Sequence, residues 1–351
     1  MTGKKKSTAT MSDVSQMAGV SRYTVSKVLN RDPSVKESTR IKVMQACKSL
    51  NYTPDLHAVS LVRGRSTTIG LLAAQITDPF YNEIIAAAEN RAALAGYHLV
   101  YACTYGDPEQ EESIIRRFLA MKICGLIAAP VVDKVNTKLW RELESRIPVV
   151  YFDRYLRSGT HYVINDNRQS AFDVTSHLLD IGGIPAYLGS AQGFLNLAIR
   201  DRDLGYSEAM QSRGYKPMRL PVPPDLQKRD VEEFGFGVMD AWLTKHEPPS
   251  AILCATDAIA LGAMAALDRQ GIRPGRDVAV AGHDNLPFSA WILPSLTTVE
   301  QPKAEIGNTA VTTIIDLVKG ALSQIERVRR VLRSRLVVRD SSTLFAEQHT
   351  S

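Results

Sequence analysis

Residues 22–29, RYTVSKVL, carry side chains suited to reading DNA. At helical spacing the two valines of this segment share one face, and the opposite face presents a guanidinium, a phenol, a hydroxyl and an ammonium group. These groups belong to Arg22, Tyr23, Ser26 and Lys27. Because they can bond to base edges and phosphate oxygens, and because such a helix fits the major groove, the pattern predicts a recognition helix.

Two further helices are needed to hold this one in place. Apolar residues recur at helical spacing over residues 11–18, and Gly19 can take the left-handed conformation of a tight turn, so residues 11–29 predict a helix-turn-helix. A third helix is expected to run to about Leu50, with Ser34 and Glu37 at the spacing of a capping box. Three short helices make a small headpiece.

The charge distribution supports a nucleic-acid partner. Residues 1–66 hold twelve Lys and Arg against four Asp and Glu, a balance of +8, so the other 285 residues hold thirty against thirty-three, a balance of −3. The basic excess lies beside the helix-turn-helix pattern, where phosphate contacts require positive charge. Residues 1–10, with three consecutive lysines, are expected to form a disordered basic arm.

Composition and motifs argue against several other classes. No apolar run approaches the ~20 residues of a membrane span, and no apolar segment follows the basic start, so we expect a cytoplasmic, nucleoid-associated protein. The four cysteines stand singly, which favours reduced thiols over a disulfide or a metal site. No phosphate loop, G-x-S-x-G or H-E-x-x-H motif occurs, so we expect no enzyme activity, no cofactor and no metal.

The segment after the headpiece has the signals of a short helix. Pro54 stands near its start, Asp55 can cap it and Gly64 can end it. A helix of about eight residues is marginal alone in water, so we expect residues 54–66 to fold only when something packs on them. A hinge helix of this kind can couple a distant event to DNA binding.

From Thr67 onward, short apolar runs alternate with helical patterns, which is typical of parallel α/β sheets. The first series of runs is TTIGLLAA, YHLVYACT, GLIAAP and PVVYFD, and the second is HYVIND, PAYLGS, SAILCAT and DVAVAGHDN. The helical patterns lie at about 80–94, 108–121, 137–145, 168–181, 204–212, 231–245 and 259–270, and a strand near 296–299, a helix near 304–318 and basic strands over about 328–338 follow them. We expect two doubly wound parallel-sheet lobes with a ligand cleft between them.

The expected organisation is a headpiece, a hinge, a two-lobed core and a tail. The headpiece covers residues 11–53, the hinge helix 54–66, the effector-binding and dimerising core 67–342, and the tail 343–351. Within the core, the N-lobe is expected over about 67–160 and 293–324 and the C-lobe over about 161–290 and 325–342. The tail has no leucine heptads that would predict a helical bundle joining dimers.

A series of motifs in this order resembles the lactose-repressor (LacI/GalR) family of transcription regulators. They are DVSQMAGVSRYTVSKVLN, NYTPD, STTIGLL, DPFYNEII, RDLGY, ATDAIALGAM, VAVAGHDN, LTTVEQP and LVVRDSS, and they cover the chain from Met11 to about Ser341. The resemblance implies an all-α helix-turn-helix headpiece and a periplasmic-binding-protein-like α/β core. It also implies a homodimer, or a pair of dimers, on a palindromic double-stranded operator.

The resemblance divides the DNA contacts into two groups. It implies base contacts by Arg22, Tyr23, Lys27 and Leu61, the last as an apolar wedge that kinks the operator at its centre. It implies backbone contacts by Ser21, Thr24, Ser26, Asn30 and Tyr52. Many relatives carry arginine where this chain has Lys27. A guanidinium can donate two hydrogen bonds to one guanine, whereas the lysine ammonium is a flexible point donor. The base preferred at that position is therefore left open.

In the core, the resemblance places effector contacts on loops at the carboxyl ends of strands. The residues are Phe80, Tyr81, Asp153, Arg202, Thr256 and Asp284. The two aromatic rings are expected to stack on a ligand or to pack as a lid, and the carboxylates to accept hydrogen bonds from vicinal hydroxyls. Asp257 is expected to bind or only to cap a helix, with Arg154 and Arg200 as neighbours of the site.

Two carboxylates and an arginine favour a polyhydroxylated ligand such as a sugar. A sugar acid or phosphate fits if Arg200 also points inward, and a purine is compatible as well. We expect a repressor whose effector reorients the N-lobes of the dimer and so orders or melts the hinge helices. The main alternative is the same regulator controlled by a protein partner, and a periplasmic-type solute receptor would leave the basic helix-turn-helix unexplained.

Overall fold

The fold is built from two units, residues 1–67 and 68–351. In this computed structural model the described residues are 9–29, 32–52, 66–131, 136–156, 159–190, 196–226, 230–322 and 326–349. No helix among them is long and apolar enough to cross a membrane.

Three short helices form the first unit. They are α1 (Met11–Ala18), α2 (Arg22–Leu29) and α3 (Glu37–Ser49). A capping box between Thr10 and Asp13 begins α1, and Gly19, with a left-handed φ of 65°, ends it. The inward side chains form one small core: Val14, Val25, Val28, Val43, Ala46 and Cys47. The helix-turn-helix prediction is confirmed.

The capping box expected between Ser34 and Glu37 is wrong. Helix α3 begins at Glu37, so its N-cap is Lys36, which makes no side-chain capping bond. Ser34 lies too early in the chain to cap this helix. It belongs instead to the loop between α2 and α3.

A six-stranded parallel sheet organises what we call the first lobe of the second unit. Its strands are β1 (Thr68–Ala73), β2 (His98–Cys103), β3 (Gly125–Ala128), β4 (Val149–Phe152), β5 (His161–Asn165) and β11 (Arg329–Leu332), in the spatial order β11-β5-β4-β3-β1-β2. The helices of this lobe are α4 (Pro79–Leu94), α5 (Pro108–Ala120), α6 (Thr137–Arg146) and α11 (Lys303–Lys319). The strands β1, β3 and β4 are almost wholly buried, which explains their continuous apolar sequences.

A four-stranded parallel sheet organises the second lobe. Its strands are β6 (Pro185–Leu188), β7 (Met218–Arg219), β8 (Ala251–Cys254) and β9 (Ala279–Ala281), in the order β7-β6-β8-β9. The helices are α7 (Asn167–Asp180), α8 (Leu197–Ser212), α9 (Val231–Leu243), α10 (Asp257–Arg269) and α12 (Asp340–His349). A separate antiparallel pair joins β10 (Thr298–Glu300) to β12 (Arg335–Val337). The predicted fold class is confirmed.

The lobe boundaries differ from the expected ones. Strand β5 pairs with β4, and β11 pairs with β5, so both complete the first sheet although we assigned residues 161–165 and 329–332 to the second lobe. The reason is pairing: Val163 of β5 aligns with Phe152 of β4 and fills the core of the first lobe. Sequence order alone does not reveal which sheet a strand joins.

Two helices also differ from the expected bounds. Helix α8 begins at Leu197, capped by Asn196, seven residues before the predicted start, because its first turns mix charged and apolar residues without a clear period. Residues 343–349 of the expected tail belong to α12, and Phe345 of that helix is buried in the core of the second lobe. The carboxyl-terminal helix therefore belongs to the fold of the lobe.

Candidate functional site

The polar face of α2 is open to solvent. Tyr23 is 71% exposed, and Arg22, at the first position of the helix, is exposed beside it. Val25 and Val28 on the opposite face are buried in the headpiece core. The first turn of α2 therefore points outward, and the first turn is the part of a recognition helix that reaches base edges.

Some of the predicted backbone contacts also build the headpiece. Ser21 Oγ accepts a hydrogen bond from the Thr24 amide at 3.1 Å and lies 3.0 Å from Thr24 Oγ1, so this pair caps the start of α2. Tyr52 packs, half-buried, against the headpiece core, and Ser26 is half-buried on α2.

Lys27 is held by the loop that follows its own helix. Its Nζ donates to Ser34 Oγ at 3.0 Å and lies 3.5 Å from Asp32 Oδ2. The sequence did not reveal these two partners, because both lie beyond Leu29, the end of α2, where helical spacing no longer applies. Two other predicted DNA contacts, Asn30 and Leu61, lie outside the described residues, as do residues 53–65 with nearly all of the predicted hinge helix.

The predicted effector residues of the core stand at the carboxyl ends of parallel strands. Asp153 directly follows β4, Thr256 follows β8 and Asp284 follows β9. Lys303 joins the two lobes there: its Nζ donates to the Asp284 carbonyl at 2.9 Å and lies 3.2 Å from Glu83 Oε2 on α4. Groups from both lobes therefore meet at these carboxyl ends, which is where parallel α/β sheets place their ligand cleft.

A buried ion pair forms the second-lobe wall of this cleft. Arg202 Nη2 lies 3.2 Å from Asp284 Oδ1, and both side chains are nearly inaccessible to solvent. The other guanidinium nitrogens of Arg202 donate to Asn167 Oδ1 at 2.9 Å and to the Ala255 carbonyl at 2.6 Å. Helix α8 carries Arg202 this close to α7 because Gly205 faces the backbone of Arg168 with no room for a Cβ.

Asp284 is held in an ionised state. Burial alone would raise its pKa, but Arg202 and the side-chain hydrogen bonds from His283 and Gln301 outweigh that effect and lower it. Gln301 Nε2 donates to Asp284 Oδ1 at 2.5 Å. The residue also takes a φ of 119°, which side chains rarely adopt, so its loop is strained at the position that faces the cleft.

His283 is a neutral partner of this carboxylate. Burial and the nearby Arg202 lower its pKa to about 4. Its Nδ1 lies 3.2 Å from Asp284 Oδ1 and its Nε2 lies 2.9 Å from Ser170 Oγ. Because a carboxylate only accepts, Nδ1 carries the proton and Nε2 accepts from the serine. His283, itself held by Ser170, therefore fixes the orientation of the Asp284 carboxylate.

The first-lobe wall is a second polar cluster. Tyr81 Oη donates to Asp153 Oδ2 at 2.9 Å and accepts from Arg154 Nη2 at 3.1 Å. Burial and the negative charge of Asp153 raise the pKa of Tyr81, so the phenol stays protonated. Arg154 Nε is buried and lies 3.4 Å from Asp153 Oδ2, an ion pair without the geometry of a hydrogen bond. Arg154 and Asp153 therefore compensate each other's charge within the first-lobe cluster.

The remaining predicted residues have mainly structural surroundings. The ring of Phe80 is buried in the first-lobe core and meets Tyr81 edge to face at 5.1 Å. Thr256 caps α10 by accepting from the Ile259 amide. Asp257 is not the cap: its fully buried carboxylate accepts from the Leu286 amide and from Ser289 Oγ. Burial and the charge of Asp284 raise its pKa to about 6.

Sequence reasoning missed one acidic residue of the cleft. Asp78 caps α4 by accepting from the Phe80 amide at 2.9 Å. Burial, and to a lesser extent the charges of Asp284 and Asp153, raise its pKa to about 6. An Asp-Pro pair at the start of a predicted helix was the available signal.

Arg200 does not complete the site. Its side chain is exposed and pairs with Asp201 at 3.3 Å. The described residues also contain no cluster of three or more metal-binding side chains.

Two family models match the chain. Residues 10–55 match the model described as bacterial regulatory proteins, lacI family, and residues 186–342 match a periplasmic binding protein-like domain. The chain is 32% identical over 316 residues to the HTH-type transcriptional repressor PurR of Vibrio parahaemolyticus, covering 89% of this chain and 92% of that protein. It is 31% identical to the ribose operon repressor of Escherichia coli, covering 92% and 96%.

Solved structures give the same result. The lac repressor dimer bound to operator and the anti-inducer ONPF superposes with a TM-score of 0.82 at 27% identity, covering 95% of this chain and 99% of that one. A complex of the transcriptional regulator CelR with cellobiose superposes with a TM-score of 0.69 at 25% identity, covering 95% of this chain and 100% of that one. With a helix-turn-helix headpiece, a two-lobed core and relatives that match nearly its whole length, this chain belongs to the LacI family of DNA-binding transcriptional regulators.

Proposed function

We propose that the protein is a repressor that binds a palindromic operator as a homodimer and is switched by a neutral sugar in the cleft between its lobes. The observation that carries this proposal is the buried pair of Arg202 and Asp284, with Asp153 and Tyr81 on the facing lobe. Fixed carboxylate acceptors with a guanidinium and a phenol beside them match the alternating donors and acceptors of vicinal hydroxyl groups.

The charge of the cleft favours an uncharged ligand. A sugar acid or phosphate required Arg200 to point inward, but Arg200 is exposed and paired with Asp201. The positive charge of Arg202 is already balanced by Asp284, and its other two nitrogens donate to Asn167 Oδ1 and the Ala255 carbonyl. The purine alternative requires an aromatic face for the base, whereas the ring of Phe80 is buried in the first-lobe core.

For the DNA side, we propose the contacts that the family resemblance implies. Arg22, Tyr23 and Lys27 read base edges, and Leu61 wedges into the operator centre. Ser21, Thr24, Ser26, Asn30 and Tyr52 contact the phosphate backbone. The exposure of Tyr23 and Arg22 on the outward face of α2 supports this division.

We also propose that the dimer, rather than a tetramer, is the working unit. Trp291 is 83% exposed and Leu293 is 92% exposed on the second lobe, which is unusual for side chains of this size and favours a partner surface. Helix α12 buries Phe345 in its own lobe, so it does not extend as a segment that would bundle two dimers.

Ligand binding changes DNA binding through thermodynamic linkage between the two equilibria. A ligand that prefers one arrangement of the lobes by a hundredfold supplies about 2.7 kcal/mol of coupling per site to the DNA equilibrium. Lys303 is placed to transmit it, because its ammonium contacts the Asp284 loop and Glu83 on the facing lobe. Opening or closing the cleft changes these contacts and so the orientation of the first lobes in the dimer.

Calorimetric titration tests the ligand class directly. The full chain is titrated with D-ribose, D-glucose, D-glucitol and cellobiose, with D-gluconate and D-ribose 5-phosphate as anionic counterparts, and with hypoxanthine as the purine. We expect binding of a neutral sugar or polyol, and no binding of the anions. Binding of hypoxanthine alone would replace the sugar by a purine, and binding of no compound would favour control by a protein partner.

A further inference from the structure

The base-contact candidate Lys27 does not extend freely from the recognition helix. Its Nζ donates to Ser34 Oγ at 3.0 Å, lies 3.5 Å from Asp32 Oδ2, and stands 5.3 Å from the centre of the Tyr23 ring. About a third of its side chain remains exposed. Three neighbours thus fix an ammonium group that would otherwise sample many rotamers.

The loop that holds Lys27 is itself fixed. The Asp32 amide donates to the Lys27 carbonyl at 3.0 Å, and Arg40 on α3 donates to the Asp32 carbonyl at 3.0 Å. The Ser34 amide donates to Asp32 Oδ1 at 2.8 Å. Hydrogen bonds from Ser34 lower the pKa of Asp32, so the carboxylate stays charged beside the lysine. The restraint on Lys27 therefore comes from residues 32–34, which are themselves hydrogen-bonded to α2 and α3.

An anchored lysine differs from a free one in what it can recognise. A free ammonium on a four-carbon stem is a point charge that binds whichever phosphate or base acceptor lies nearest. An ammonium held in one place donates only to an acceptor at that place. A carboxylate close to it also repels phosphate, which lowers affinity for every DNA sequence alike.

We infer that Asp32 and Ser34 are specificity-determining positioning residues, which hold the Lys27 ammonium where it discriminates one operator base pair instead of contacting the phosphate backbone. The inference rests on the proposed base contact of Lys27. It assigns a function to two residues outside the recognition helix, and it explains why an acidic side chain stands beside a DNA-reading lysine in a strongly basic headpiece.

The competing explanation is that the ion pair only stabilises the loop. In that case removing it lowers stability and leaves the ratios of affinity among the duplexes unchanged. Loss of the Asp32 charge relieves phosphate repulsion in either case, so general affinity does not separate the two explanations. Only positioning predicts that discrimination is lost at one base pair, the one that Lys27 contacts.

The test begins by selecting an operator from a random duplex library with the wild-type full chain. Fluorescence anisotropy then gives the Kd of each variant for this operator and for every single base-pair change in one half-site. The variants are Lys27→Ala, Asp32→Asn and Ser34→Ala, with Glu37→Gln as the matched control. Glu37 is an exposed headpiece carboxylate that pairs with Arg40 at 3.3 Å and has no contact with Lys27 in the described part of the headpiece. Thermal unfolding confirms that each variant folds.

We expect Lys27→Ala to abolish discrimination at one base pair. Asp32→Asn should lower discrimination there about fivefold while binding the other duplexes more tightly, and Ser34→Ala should lower it without the general gain. Glu37→Gln should shift all duplexes alike. If Lys27→Ala removes discrimination but Asp32→Asn and Ser34→Ala keep wild-type ratios at every position, the positioning role is overturned. If Lys27→Ala itself changes no ratio, the proposed base contact fails, and the positioning role with it.

Discussion

Replacing Asp284 by asparagine should remove ligand binding while preserving the fold. The substitution keeps the shape of the side chain but removes the charge that Arg202, His283 and Gln301 stabilise. Arg202 retains two neutral acceptors, Asn167 Oδ1 and the Ala255 carbonyl, but its buried charge loses its counter-charge. Losing a hydrogen bond to a charged acceptor costs about 1.5 to 3 kcal/mol, so the Kd for a bound sugar should rise by about 10- to 150-fold.

The matched control is Asp203→Asn. Asp203 is also buried and also pairs with an arginine, accepting from Arg219 at 2.7 and 3.0 Å, but it makes no hydrogen bond or ion pair with Asp284 among the described residues. We expect Asp284→Asn to lose about 3 to 5 kcal/mol of unfolding free energy in urea titrations and Asp203→Asn, whose partner Arg219 is half exposed, about 1 to 3 kcal/mol, and only Asp284→Asn to lose calorimetric affinity. Equal sugar affinity in wild type and Asp284→Asn would remove Asp284 from the site and refute the reasoning.

Three other substitutions test separate parts of the molecule. Leu61→Ala should weaken operator binding at least about tenfold in anisotropy titrations and leave sugar affinity unchanged, and unaltered operator affinity would end the wedge proposal. The pKa of Asp78 is raised to about 6, so its ionisation opposes folding as pH rises from about 4 to 6. The unfolding free energy of wild type relative to Asp78→Asn should therefore fall over that window by on the order of 2 kcal/mol. A difference that stays constant with pH would show that folding does not raise the pKa of the Asp78 carboxyl. Trp291→Asp should shift the protein towards monomers in analytical ultracentrifugation, whereas an unchanged dimer would place the interface elsewhere.

The headpiece and most core elements could be predicted because their signals are local. Gly19 and the valines of α1 and α2 carry the helix-turn-helix period, and strands such as β1 and β8 are continuous apolar runs because both faces are buried. The order of the strands was not predictable in the same way. Val163 fits either sheet by sequence, and only its pairing with Phe152 assigns it to the first.

The sequence predicted where the site residues lie in the fold, but it predicted less well what each side chain does. Asp257 and Asp284 both follow strands of the second lobe and look alike in sequence, yet Asp257 holds the loop at Leu286 and Ser289 whereas Asp284 pairs with Arg202. The contacts that separate them come from residues distant in the chain. The same holds for Lys303, whose two partners are more than fifteen residues away and lie on different lobes.

In the proposed switch, sugar binding in the cleft and operator binding by the headpiece are coupled in one dimer. Anisotropy titration of the selected operator, with and without a saturating sugar identified by calorimetry, measures this coupling, and calorimetry of that sugar with and without operator measures its reciprocal. We predict that the sugar changes operator Kd by at least about tenfold and that the operator changes sugar Kd by the same factor. An operator Kd that is identical with and without bound sugar would contradict the account.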